Sequence, residues 1–198
     1  MRAMVAAMPP QGHDCATRRC QGARMKTIFF VAALATAVTG AAAPAQGSAA
    51  VLGPYAARCA AGDSPAILVS IVGLKSRSGT LRLRTFGGAS STWFDKKTWL
   101  TRVEVPTPAS GPVRFCLPVA APGTYALDLR HDVNGNGDTD RADGGGASGD
   151  PRVSLLDFLF GRKPSPKVTA VRVGKGVTEI TITAMYLSGG ALRPVKAR

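Results

Sequence analysis

Ten consecutive residues, His131 to Asp140, alternate oxygen-bearing side chains around two glycines: Asp132, Asn134, Asn136, Asp138 and Asp140, with Gly135 and Gly137 between them. A chain of this kind can curl until its carboxylates and amides converge on one hard cation. The calcium-loop pattern D-x-[DN]-x-[DN]-G takes further ligands from its seventh, ninth and twelfth positions. With Asp132 first, Asn134 is third, Asn136 fifth, Gly137 sixth, Asp138 seventh, Asp140 ninth and Asp143 twelfth. The seventh position contributes its backbone carbonyl, so Asp138 need not use its side chain. Asp143 stands where a bidentate Glu is usual, and its shorter arm predicts a weak site. Exported modules of this type bind calcium at about 10⁻⁴ to 10⁻³ M. The competing reading is a solvated Asx-rich turn, because Asn, Asp and Gly favour turns through local hydrogen bonds. The spacing favours calcium.

Little else in the chain suggests chemistry. Beyond residue 45 the only histidine is His131, directly before the acidic loop. A hydrolase built on His131 and a loop carboxylate is the alternative function. Its nearest nucleophile, Ser148, lacks the G-x-S-x-G elbow and the strand-to-helix setting that elbow needs. Gly174-Lys175-Gly176-Val177-Thr178 has the wrong spacing for a phosphate loop. His131 is expected to be a packed or hydrogen-bonded residue at a strand end, since calcium prefers oxygen ligands.

The N-terminal 45 residues resemble export machinery. Arg24, Met25 and Lys26 precede the apolar run Ile28 to Ala35, and Ala43-Pro44-Ala45 offers an A-x-A cleavage site. The run is too short and alanine-rich for a membrane span. Met25 is a candidate start, which would leave His13, Cys15 and Cys20 out of the mature chain. Residues 46–198 then form a single domain, with no transmembrane segment and with Cys59 and Cys116 as its only cysteines. Two cysteines in an exported protein are expected to pair. The expected location is periplasmic or extracellular.

From Gln46 onward 20 Lys and Arg face 11 Asp and Glu, a net charge of +9. Seven of those acids fall within residues 128–157, so an acidic segment sits on a basic body. Export makes nucleic acid a poor partner. An envelope component of unknown identity is the expected partner, and the protein is expected to be a monomer.

The elements that must position the loop read as strands. Residues 66–72 form an apolar β-rich run, and residues 80–86 alternate with period two, placing Leu81, Leu83 and Thr85 on one face. Residues 99–105, 113–117 and 124–130 follow. Residues 168–173 and 177–183 flank Gly174-Lys175-Gly176 as a hairpin signal. Leu155 to Phe160 fits a helical turn or a buried strand equally, and Leu192 to Arg198 a frayed tail or last edge strand. About seven short strands and no long amphipathic helix predict an all-β sandwich. Pro122-Gly123-Thr124-Tyr125 suggests a tyrosine corner, in which a phenol pins a loop crossing between sheets. The strand containing Tyr125 runs directly into His131-Asp132, so the loop is expected at the end of the sandwich.

These residues resemble a bacterial exported family, the domain of unknown function 2141. The likeness rests on Leu117-Pro118, on Pro122-Gly123-Thr124-Tyr125-Ala126, and on His131 to Gly137 with Asp140. Gly79-Thr80-Leu81-Arg82 and Thr181-Ile182-Thr183-Ala184-Met185-Tyr186 match less closely, and Gly146 to Pro151 departs from the family pattern. The resemblance implies an immunoglobulin-like or transthyretin-like sandwich and export, and no activity.

Overall fold

The computed structural model describes residues 50–154, 156–157 and 160–195. The predicted export segment lies outside these residues, as do parts of the Leu155–Phe160 stretch. Among the described residues the order is β1 (Val51–Leu52), α1 (Ala56–Ala61), β2 (Ala66–Val72), β3 (Thr80–Phe86), a 3₁₀ turn (Ser90–Thr92), β4 (Thr101–Pro106), β5 (Val113–Pro118), β6 (Gly123–Asp132), β7 (Gly144–Ala147), α2 (Pro166–Thr169), β8 (Val171–Val173), β9 (Val177–Thr183), β10 (Met185–Ser188) and β11 (Ala191–Pro194). One sheet has the strand order β1-β5-β2-β9. The other runs β11-β10-β7-β6-β3-β4, with β8 pairing to β6 beside that path. The protein is an all-β sandwich, as the alternation of apolar residues predicts.

The core lies between the sheets because each long strand turns alternate residues inward. Ile67, Val69 and Ile71 of β2 and Val113, Phe115 and Leu117 of β5 meet Leu81 and Leu83 of β3 and Leu127 and Leu129 of β6. Thr85 is buried on the predicted face. The ten-residue β6 is the hub of its sheet. It pairs with β3 along one side, and with β8 and then β7 along the other.

Between β5 and β6 the chain crosses from one sheet to the other. There Tyr125 Oη donates to Ala121 O at 2.7 Å, the corner expected from the sequence. Cys59 of α1 is bonded to Cys116 of β5, with Cα atoms 5.8 Å apart. This link holds a six-residue helix, too short to persist alone, on the four-stranded sheet.

One expectation needs correction. The run 168–173 is a short helix followed by β8, and β8 does not pair with β9. It pairs antiparallel with β6, whereas β9 crosses over to pair parallel with β2. Period-two alternation shows that a strand has a buried face but does not name its partner, and separate sheets bury both apolar faces. Directly after Asp143 the glycines Gly144 to Gly146 with Ala147 form β7. A Cβ at Gly144 would lie 2.3 Å from the Tyr186 ring, so glycine lets β7 and β10 close around that side chain. Strands β1, β7, β10 and β11 add to the seven expected. Their two to four residues are too few to show periodicity.

Candidate functional site

Residues 133–143 connect β6 to β7, and the connection begins where β6 meets the start of β3, at the pair Asp132–Thr80. The preceding turn presses on it closely. Gly79 has φ +74°, and a Cβ there would lie 1.8 Å from Asp132 O. Ser78 Oγ donates to Val133 O at 2.9 Å. The loop therefore leaves a fixed strand end.

His131 anchors that end from inside the sandwich. It is fully buried. Its Nε2 lies 2.9 Å from the carbonyl oxygen of Ser78, which can only accept, so Nε2 carries the hydrogen. In the neutral ring Nδ1 then accepts from Tyr186 Oη at 2.5 Å, and Tyr186 Oη accepts from Lys75 N at 3.1 Å. Burial pushes the Tyr186 phenol above its ordinary pKa, partly opposed by the Lys75 backbone hydrogen bond. Ser148 is equally buried; its hydroxyl donates to Thr169 O and accepts from Leu127 N at 3.1 Å. His131 and Ser148 thus lock strands together and do not face solvent.

The six loop residues take two distinct arrangements. Asp132 and Asp143, the first and twelfth positions, are buried, at 4% and 7% exposure. Asp132 accepts Gly135 N at 2.7 Å and Gly137 N at 2.9 Å; Asp143 accepts Val133 N at 3.1 Å and Asp140 N at 3.3 Å. Both carboxylates turn toward Arg130. Its Nη2 lies 3.3 Å from Asp132 Oδ2 and 3.4 Å from Asp143 Oδ2, and it also donates to Asp138 O. Nη1 donates to Gly137 O at 2.9 Å. Arg130 Nη2 therefore meets the oxygens of template positions one, seven and twelve, the carbonyl of Asp138 included. A guanidinium stands among ligands that the pattern assigns to an ion.

The third, fifth and ninth positions gather on the exposed side. Asp140 Oδ2 accepts Asn134 Nδ2 at 2.7 Å and Asn136 Nδ2 at 3.2 Å. Each of these side chains also closes an Asx turn: Asn134 Oδ1 on Asn136 N, Asn136 Oδ1 on Asp138 N and Asp140 Oδ1 on Ala142 N. The Ala142 amide first, then the Asn134 side chain, hold the Asp140 carboxyl below the usual carboxylate range. No three His, Cys, Asp or Glu side chains among the described residues converge as metal ligands. The donor chemistry suits a hard cation, but such an ion and the Arg130 guanidinium cannot share one seat.

The structure brings Asp132, Asp143 and the Asp138 carbonyl, three of the expected ligand positions, together around Arg130, which sequence reasoning missed. The signal was present. Arg130 precedes Asp132 by two on a strand, so both side chains project from the same face. Tyr186 offered no such cue, because 55 residues separate it from His131.

Fold and site together define a two-sheet β-sandwich that carries an Asp/Asn/Gly loop at one end. The chain belongs to the family described as an uncharacterised protein conserved in bacteria, domain of unknown function 2141, whose pattern matches residues 69–181. The match runs from within β2 into β9 and spans the whole loop. Searches of curated proteins and of solved structures found no match.

Proposed function

We propose that this protein is an exported, non-catalytic binding or structural module of the bacterial envelope, whose 132–143 loop is a low-affinity calcium site guarded by Arg130. The observation that carries this reading is the meeting of Arg130 Nη2 with Asp132, Asp143 and the Asp138 carbonyl. With no ion bound, the guanidinium supplies the positive charge those oxygens require. Calcium, with more charge and a preference for six to eight oxygens, competes for the same seat. Arg130 then swings away and the loop changes from one fixed state to another.

Export is supported by the N-terminal sequence pattern and by the Cys59–Cys116 bond, which suits an oxidising compartment. The non-catalytic reading is supported by the burial of His131 and Ser148, the residues the hydrolase alternative requires.

Thermal melts of wild type and Arg130→Gln in calcium and in chelator test the proposal. Wild type should gain roughly 1.4 kcal/mol when calcium is about ten times the dissociation constant. Arg130→Gln, with its competitor removed, should respond at lower calcium. Magnesium should substitute poorly, because it demands a tighter octahedron. If neither protein responds to millimolar calcium, the loop is an arginine-organised turn and the calcium reading fails.

A further inference from the structure

The outward face of β4, β3 and β6 carries a grid of charges fixed by strand register. One row across it is Glu104, Arg82, Arg130 and bare Gly145; the next is Arg102, Arg84 and Asp128. Three of the four arginines have partners. Arg84 grips Asp128 through Nε and Nη2, Arg102 pairs with Glu104, and Arg130 holds Asp132 and Asp143. Arg82 has none. Among the described residues its guanidinium makes no hydrogen bond and no ion pair, and its Nε is sealed from water without an acceptor.

Its surroundings make that isolation costly. Arg82 faces Arg130 directly across the β3–β6 ladder, and like charges in that position repel. The Arg130 Nε is the second sealed and unpartnered donor on this face. Two neighbouring orphan N–H groups on one surface are rare in a folded protein, where buried donors generally find acceptors. Burial, followed by the charge of Arg84, pushes the Arg82 guanidinium below its ordinary pKa. Asp128 offsets only part of this, being gripped by Arg84, and Glu104 is paired with Arg102. Beyond Arg130 the row continues onto Gly145, where an added Cβ would meet only Leu129 O, at 3.4 Å. The surface there is bare backbone.

We propose that Arg82 is the receptor of an oxyanion site on the outer face of the seven-stranded sheet, with the Arg130 Nε as neighbouring donor, for a ligand presenting a phosphate or carboxylate group. A guanidinium fork matches either group through two parallel N–H···O bonds. The Nη edge of Arg82 is not sealed and provides the entry. A small shift of the side chain then brings an anion oxygen to the two Nε–H groups. Arg82 makes no hydrogen bond or ion pair to the 132–143 loop, and the site meets the calcium seat only through Arg130, whose Nη2 faces Asp132 and Asp143 while its Nε is left for the anion.

The test follows the Arg82 Nε–Hε resonance in ¹⁵N-labelled protein during titration with inorganic phosphate or with acetate, ionic strength being held constant with chloride. The expected result is a saturable shift of that resonance with at least one of the two anions and none with chloride. The stronger anion identifies the ligand group. Arg82→Gln should fold with equal or higher thermal stability, because it removes a repelled charge, and should weaken the melting-temperature response to the anion about tenfold. No saturable shift with either anion, the same shift with chloride, or an undiminished response in Arg82→Gln would each overturn the proposal.

Discussion

Asp132 holds the loop at both oxygens, one accepting Gly135 N and the other accepting Gly137 N and facing Arg130. Asp132→Ala removes three acceptor contacts at once and leaves Asp143 as the one carboxylate on Arg130, beside the carbonyls of Gly137 and Asp138. Loss of a buried charged acceptor costs on the order of 2 kcal/mol, here concentrated in the loop because the core strands are untouched. The variant should keep a single cooperative melt while residues 132–150 become the first site of limited proteolysis. Equal cleavage rates in mutant and wild type would show that Asp132 does not organise the loop.

Tyr186 is the residue whose burial sets a pH limit. Its phenol is pushed up by desolvation, so the folded state favours the neutral form. The stability this contributes is fully present below the unfolded value of about 10 and is lost as pH rises through the higher folded value. The stability difference between wild type and Tyr186→Phe should therefore narrow on alkaline titration above that point. At neutral pH the substitution leaves the His131 Nδ1 and the Lys75 N–H without their partner, at about 1–3 kcal/mol. Equilibrium denaturation of both proteins across that pH range checks the sign and the size. At this scale the sequence shows the ligand-like residues, since their identity and spacing are local. It does not show Tyr186 or the isolation of Arg82, which depend on which strands lie side by side.

At the scale of elements, legibility followed length. Strands β2, β3, β5 and β6 each bury several alternating side chains, and that pattern is visible in sequence; β9 shows the same alternation in its residue types, though Ile182 is its one fully buried side chain. Strand β7, three glycines and an alanine, has almost no side chain to alternate. The turn chemistry of Gly174 to Gly176 suits a hairpin, yet tertiary packing sends β8 and β9 to different partners, β6 and β2. Helix α1 depends on a covalent link. Cys59→Ser should release it from β5 and remove the loop-closure restraint of a separation of 57 residues, about 4 kcal/mol in the chain-entropy model. Intact-mass measurement with and without reductant checks the bond, and melting of the variant checks its effect. Free thiol at both positions in protein recovered from the periplasm would contradict the pairing.

At the scale of the whole molecule, the two sheet orders of the described residues end on four strands, and each carries its own guard against association. Strand β4 places Arg102 and Glu104 on its outward face and ends in Pro106; β11 contains Arg193 and ends in Pro194. On the other sheet β1 is only two residues long, and β9 carries an exposed Glu179 that reaches toward Arg114. Short, charged or proline-terminated edges resist pairing with a second copy, and the +9 charge of residues 46–198 adds repulsion between molecules. The protein should sediment as a monomer across a wide concentration range at low salt. Edge β4 is the informative one, because it is the longest edge whose protection rests on two side chains already paired with each other. Replacing both, Arg102→Val with Glu104→Val, removes the charges without touching Val103 or Val105, whose contacts with the core remain. The double variant should keep its fold by circular dichroism and form dimers or larger species as concentration rises. A monomeric double variant would show that Pro106 and the twist of the strand suffice to protect this edge. A wild type that already dimerises would show that the charged pair does not protect it.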